Sequence, residues 1–261
     1  PSSTLCQTLF PYTTLFRSVH TVIHANEGVP SDIKFTSAAT NDSFMLRPSV
    51  LNKGDIIAMD RAYIDYEKLE TLTQREVMYV TKMKKNLRYN IIGDCMYQTK
   101  EGLMEVRIQN VTFSKMLKDG TILVHHARII TYVDIKKHKL VSLLTNDMES
   151  EPNEIIEIYR KRWEIELLFK QIKQNFPLKY FYGESANAIK IQIWVTLIAN
   201  LLLMVMKKGL TRSWSFSSLA TMMRITLMYY VDFYSLFNHP EKDWETLLDV
   251  NQKEDYQLSI F

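Results

Sequence analysis

A chain of 261 residues with 46% hydrophobic and 23% charged side chains is long enough to bury a full core, and its composition is far from that of a disordered segment. The formal charge is only +3, so a phosphate-binding surface has to come from local clusters of Lys and Arg and not from the chain as a whole. The cysteines, Cys6 and Cys95, offer neither zinc spacing nor a disulfide framework, and no secretory signal is evident, which points to a reducing cytoplasm.

In chain order, residues 8–18 read TLFPYTTLFRS, which matches the in-frame translation of a sequencing-library adapter. Residues 1–18 are therefore expected to be a non-native leader, with natural sequence beginning near Val19. From there VHTVIHANEG and SDIKFTSA alternate as two strands of a hairpin. Asn41, Asp42 and Ser43 can cap a helix running to Leu51, which Lys53-Gly54 would end. The apolar run DIIAMD, residues 55–60, predicts a buried strand ending in an acid, followed by a helix over 65–75 and a further strand over 77–82. Alternating strand and helix is the pattern of an α/β layer.

Residues 85–138 lose helical periodicity; MEVRIQNVTF and TILVHHARIITYVDI read as strands joined by a turn at Lys118, Asp119 and Gly120. The run LVSLLTND, residues 140–147, returns to the core, and Ser150-Glu-Pro-Asn opens a long helix with Pro152 in its first turn. Two apolar helices follow, over about 186–208 and 216–237. The stretch 191–206 is short for a membrane span and contains Gln192, Thr196 and Asn200, so it is expected to be a buried core helix.

The long helix carries the chemistry. At about 100° per residue, with Tyr159 at zero, Arg162, Glu166 and Lys173 fall near about 300°, 340° and 320°. They share one arc, bordered by an apolar stripe of Ile158, Ile165, Leu168, Phe169 and Ile172. An Arg–Glu pair at i,i+4 is by itself an ordinary surface pair worth about 0.2–0.5 kcal/mol. A carboxylate beside a buried stripe and flanked by cations also suits metal binding with phosphate contacts. Asp60 is the second element, since ligands of open α/β sheets bind at the carboxyl ends of strands. If strand and helix are neighbours, Asp60 and Glu166 can share Mg²⁺ ions bound through oxygen. Three basic clusters are candidates for DNA phosphates: Lys82, Lys84, Lys85 and Arg88; Lys136, Lys137 and Lys139; Arg160, Lys161 and Arg162. Trp163 and His125 are read as packing or surface residues.

The spacing Tyr159-x2-Arg162-x3-Glu166-x6-Lys173 resembles the YREK signature of the DDE transposases of insertion sequence family four, most like the versions in Bacteroides-type bacteria. The resemblance covers residues 19–243. It implies an α/β fold with an RNase H-like, retroviral-integrase-like core, a β-rich insertion before the Glu-bearing helix, and C-terminal helices. The expected division is a leader over 1–18, the first part of the core over 19–84, the insertion over 85–139, the second part of the core over 140–209, and a helical region over 210–261. By position Asp60 resembles the second Asp of the triad and Glu166 its Glu, both metal ligands for two Mg²⁺ ions, with Mn²⁺ as a substitute. Tyr159, Arg162 and Lys173 would contact transposon-end DNA. The implied reaction is cleavage at the transposon end and strand transfer into target DNA by a homodimer on paired ends, in the bacterial cytoplasm at the nucleoid, with no membrane role.

The family's first Asp has no counterpart here, so this copy is expected to be inactive unless another acid, such as Asp32, fills the gap. An RNase H-like nuclease and a non-catalytic DNA-binding remnant are the competing readings.

Overall fold

The computed structural model describes residues 2–9, 18–24, 29–36, 43, 46–98, 105–134, 138–176, 178, 180–228 and 232–240, with 2–9, 18, 19, 24, 31 and 36 by backbone course alone. The chain divides into two units, Pro1–Phe169 and Lys170–Phe261. This boundary falls inside a helix, whereas the sequence places its last boundary near residue 210. Periodicity marks elements, but it does not show which of them share a core.

The first unit is built on a nine-stranded sheet: β1(Ser2–Leu9), β2(Ser18–His24), β3(Val29–Thr36), β4(Ile56–Met59), β5(Met78–Lys82), β6(Asn90–Gln98), β7(Glu105–Met116), β8(Ile122–Asp134) and β9(Lys139–Thr145). Their spatial order is β3-β2-β1-β4-β5-β9-β8-β7-β6. The expected hairpin over 19–36 is present as antiparallel β2 and β3. The segment Ser2–Leu9, assigned to the leader by sequence, takes a place inside the sheet, antiparallel to β2 and parallel to β4. β4 and β5 are parallel, so both run toward the same edge of the sheet. β9 is antiparallel to β5, and the hairpins β6–β7 and β7–β8 extend the same sheet outward. The β-rich segment is therefore continuous with the core sheet.

Period-two alternation assigns the two faces of this sheet. On one face Ile57, Met59, Tyr79, Val111, Phe113, Ala127, Ile129 and Leu144 form a core with Leu69 and Leu72 of α1(Tyr66–Gln74). On the other face Val80, Val106, Ile108, Ile130, Tyr132, Val141 and Leu143 meet Ile155 and Ile156 of α2(Pro152–Lys161). Each of those two isoleucines, buried in full, contributes about 1.5–3 kcal/mol. Helix α1 starts where Asp65 accepts the amides of Glu67 and Lys68, satisfying two of its orphan donors.

Three expected helices differ from the sequence reading. No α-helix runs from Ser43 to Leu51 among the described residues; Pro48–Val50 form a single 3₁₀ turn, because the restraint that Pro48 places on Arg47 opposes a helix entering from upstream. The long helix is divided at Arg162 into α2 and α3(Trp163–Asn175), a one-residue departure that a 3.6-residue period cannot register. The second apolar helix is also divided, into α5(Phe216–Thr226) and α6(Phe233–Asn238), because Asp232 caps a new start by accepting the amides of Tyr234 and Ser235.

The second unit holds the end of α3, α4(Ala186–Lys208), α5 and α6 around Leu203, Leu219, Ala220, Leu236 and Phe237. Trp214 donates its indole N–H to the carbonyl of Phe237 at 2.7 Å. By length and composition α4 is apolar enough to cross a membrane. It is buried along one face, where the sequence suggested a buried core helix. Ile189, Ile193, Leu197 and Asn200 are covered, while Ile191, Val195, Ile198 and Leu202 are exposed.

Candidate active site

Asp60 follows directly on β4. Its backbone is extended, its Oδ1 accepts the amide of Ala62 at 2.9 Å, and its carbonyl accepts the amide of Tyr63 at 3.1 Å, which winds Arg61–Tyr63 into a 3₁₀ turn. Local bonding thus sets the carboxylate at the edge where the parallel strands β4 and β5 end.

Arg162 arrives at the same edge from the end of α2. Its side chain is 10% exposed, and its guanidinium lies 2.7 Å from Glu166 Oε1 and 4.0 Å from Asp60 Oδ2. The same guanidinium sits 5.5 Å from the ring centroid of Tyr159. Three residues drawn from two separate segments, Asp60, Tyr159 and Glu166, therefore meet around one cation. The carboxylates remain open to solvent, at 38% for Glu166 and 37% for Asp60. Burial, with the nearby carboxylates adding, pushes the Tyr159 phenol above its ordinary value, against the opposing pull of Arg162. Tyr159 is therefore a neutral hydrogen-bonding group at neutral pH. Lys173 lies seven residues beyond Glu166 along α3, in the second unit.

Two solvent-open carboxylates on either side of one guanidinium are a donor set that suits a hard divalent cation, because Mg²⁺ is commonly held by one or two carboxylates with water and substrate phosphate completing its shell. No group of three or more His, Cys, Asp or Glu side chains gathers around a common point among the described residues. Asp32 stands on β3, the outermost strand, ion-paired to Lys34 at 3.2 Å and three strands away from β4.

Basic residues collect at this edge. Lys82 closes β5 and is level with Leu143 of β9, with Lys84 and Lys85 following it; Lys139, exposed, begins β9 four residues further out in the same direction. Arg160 and Lys161 end α2 beside Arg162. Lys136 and Lys137 lie outside the described residues. Arg61, exposed and next to Asp60, joins this set, and sequence reasoning missed it because a lone arginine after an acid carries no pattern. Sequence reasoning also missed Arg162 as the bridge to Asp60, since nothing in helical spacing shows what a side chain meets on another element. The same holds for His20, whose Nδ1 lies 2.7 Å from the hydroxyl of Tyr63.

A mixed α/β domain with a charged cluster where its parallel strands end is an architecture that binds ligands at that edge. The family model for the transposase DDE domain matches residues 13–202, and the chain belongs to that family. Among relatives, a transposase-named protein of Sinorhizobium fredii, y4zB, is 27% identical over 187 residues, covering 72% of this chain and 52% of its own length. A protein of Synechocystis named for the transposase of insertion sequence element IS4SA is 25% identical over 184 residues, 69% of this chain and 50% of its own. One from Geobacillus stearothermophilus, named for element IS5377, is 23% identical over 193 residues, 71% and 48%. The chain spans about half the length of these curated relatives.

Proposed function

We propose that this chain is the catalytic region of a DNA transposase of insertion sequence family four, with an RNase H-like core, which would act by metal-dependent end cleavage and strand transfer. The observation that carries the reading is the meeting of Asp60 and Glu166, distant in sequence, on the single guanidinium of Arg162. The strand order β3-β2-β1-β4-β5, with β4 and β5 parallel to β1, supports the RNase H-like core, and the signature spacing supports the family assignment.

In this reading Asp60 and Glu166 hold Mg²⁺, or Mn²⁺ in its place. When bound, such an ion polarises a phosphoryl oxygen and acidifies a coordinated water. Arg162 supplies the positive charge that lets two carboxylates stand together, and with Tyr159 and Lys173 it contacts the transposon end beside the scissile phosphate. Lys82, Lys84, Lys85, Lys139, Arg160 and Lys161 guide the duplex along the same edge through phosphates, contacts that place DNA without reading its sequence. Work on paired ends implies a homodimer, in the cytoplasm at the nucleoid.

This copy is read as inactive. β1, beside β4, reads SSTLCQTL and contains no acid, so two carboxylates stand where the family reading expects three. The same observation favours the second reading, a remnant that occupies transposon ends without cutting them. Purified protein with end-containing duplex and Mg²⁺ or Mn²⁺ tests both. Salt-sensitive binding without nicking, weakened by Arg162→Ala and retained in Glu166→Ala, is the expected result. Efficient nicking that Glu166→Ala abolishes would overturn the inactivity and show that another acid completes the site.

A further inference from the structure

We infer that His20 is a positioning residue for Asp60, acting through Tyr63; this rests on the reading of Asp60 as a metal-binding carboxylate. Asp60 lies one residue past Met59, the last residue of β4 in the ladder with Leu5 and Thr81. The sheet therefore fixes the strand but not the carboxylate. The bonds that wind the turn are local: the amide of Ala62 to Asp60 Oδ1, the amide of Tyr63 to the Asp60 carbonyl, and the amide of Ile64 to the Arg61 carbonyl. The hydrogen bonds of a 3₁₀ turn are less well aligned than those of an α-helix, so a single turn of this kind is steadied by a restraint from outside it.

That restraint is the Tyr63 side chain. It is fully buried in the core of the first unit, among Ile57, Met59, Leu69 and Leu72, where a Phe would fill the same space. A hydroxyl in such surroundings costs free energy unless it is bonded. The bond comes from His20, itself 2% exposed, at 2.7 Å, with the two rings edge to face. His20 sits on β2, and β1 lies between β2 and β4, so the bond spans a strand to reach the turn. It anchors the third residue after Asp60 to a part of the sheet that the β4 ladder does not touch. Support of this kind, a buried hydrogen bond behind a ligand-bearing turn, is how an outer shell orients a metal-binding carboxylate.

The test pairs two measurements on Tyr63→Phe and His20→Phe, both of which remove the bond; the first keeps the six-membered ring, and the second puts a somewhat larger ring in place of the imidazole. Amide hydrogen exchange reads the turn without any metal. Exchange at Ala62 and Tyr63 is expected to accelerate about tenfold, the size of one lost hydrogen bond, with Leu69 and Leu72 of α1 unchanged and the double variant no worse than either single. Unchanged exchange at the turn, or equal acceleration throughout α1, would overturn the anchoring. Mn²⁺ binding, followed by water-proton relaxation, reads the site. Affinity is expected to fall about tenfold in both variants and to be lost in Asp60→Asn. Asp60-dependent binding that Tyr63→Phe leaves untouched would overturn the positioning role. Wild-type protein that binds no Mn²⁺ would overturn the metal reading, and the positioning role with it, while exchange still decides whether the anchor exists.

Discussion

Two polar clusters of the first unit are built on opposite principles. At the carboxyl edge, Asp60, Arg162 and Glu166 form an open cluster: both carboxylates are more than a third exposed, and one bridge stretches to 4.0 Å. Deep in the α1 face, Glu70, His125 and Tyr79 form a closed one. His125 Nε2 accepts the Tyr79 hydroxyl at 2.7 Å and its Nδ1–H donates to Glu70 Oε2 at 2.8 Å, with histidine and tyrosine fully buried. The closed cluster ties β5, β8 and α1 together; the open one leaves charge available to a ligand. A histidine between an acid and a hydroxyl invites a catalytic reading. Burial decides against it, since Tyr79 reaches no solvent and its phenol is pushed far above its ordinary value by desolvation, with Glu70 adding to the effect.

If that contrast is right, damage to the closed cluster should cost stability. His125→Ala removes a buried ring and strands the partners on both sides, and a loss on the order of 3 kcal/mol is expected in urea unfolding. Tyr79→Phe, which leaves only His125 Nε2 without its partner, should cost about 1–2 kcal/mol. Values near zero for both would erase the distinction between the clusters.

The pH dependence sharpens it. Desolvation lowers the His125 pKa below its ordinary value, with Glu70 opposing. The unfolded chain therefore takes up the proton first as pH falls. The contribution of neutral His125 is complete above about pH 6.5 and is lost progressively between that pH and the lower folded-state pKa. Melting temperature should drop as the buffer is taken from pH 7.5 to 5.5, and His125→Gln should flatten that drop.

Changes at the open cluster should be far smaller. Arg162→Ala is expected to cost about 1 kcal/mol, mostly lost packing of its stem, because solvent screens the partners. Glu166→Gln should shift stability by under about 0.5 kcal/mol in the same unfolding assay while changing divalent-ion binding. A large stability loss in Glu166→Gln would mean that the edge is a structural ion pair and not a ligand site.

The sequence carried the open cluster better than the closed one. Asp60 after an apolar run, and Tyr159, Arg162 and Glu166 on one arc, are local patterns, and the structure brings all four together. What spacing could not supply were the long-range partners: Arg162 reaching Asp60, His125 between Glu70 and Tyr79, His20 beneath Tyr63. Each joins residues tens of positions apart, and no periodicity encodes such pairs. The helix divisions were partly readable. Asp232 before Phe233 is an ordinary cap signal hidden in an apolar stretch, whereas the break at Arg162 leaves no trace in composition.

The arrangement of the sheet also sets a timetable. β6 to β9 pair with near neighbours in sequence, Met116 with Ile122 and Asp134 with Lys139, so their loops close at little entropic cost. β1 meets β4 in parallel, Ser2 beside Ile56, and β5 meets β9 across Val80 and Thr145. Non-local pairings of that kind form slowly. On that ground the β-rich half is expected to close as a meander before the parallel strands do, an order that pulsed hydrogen exchange during refolding would check.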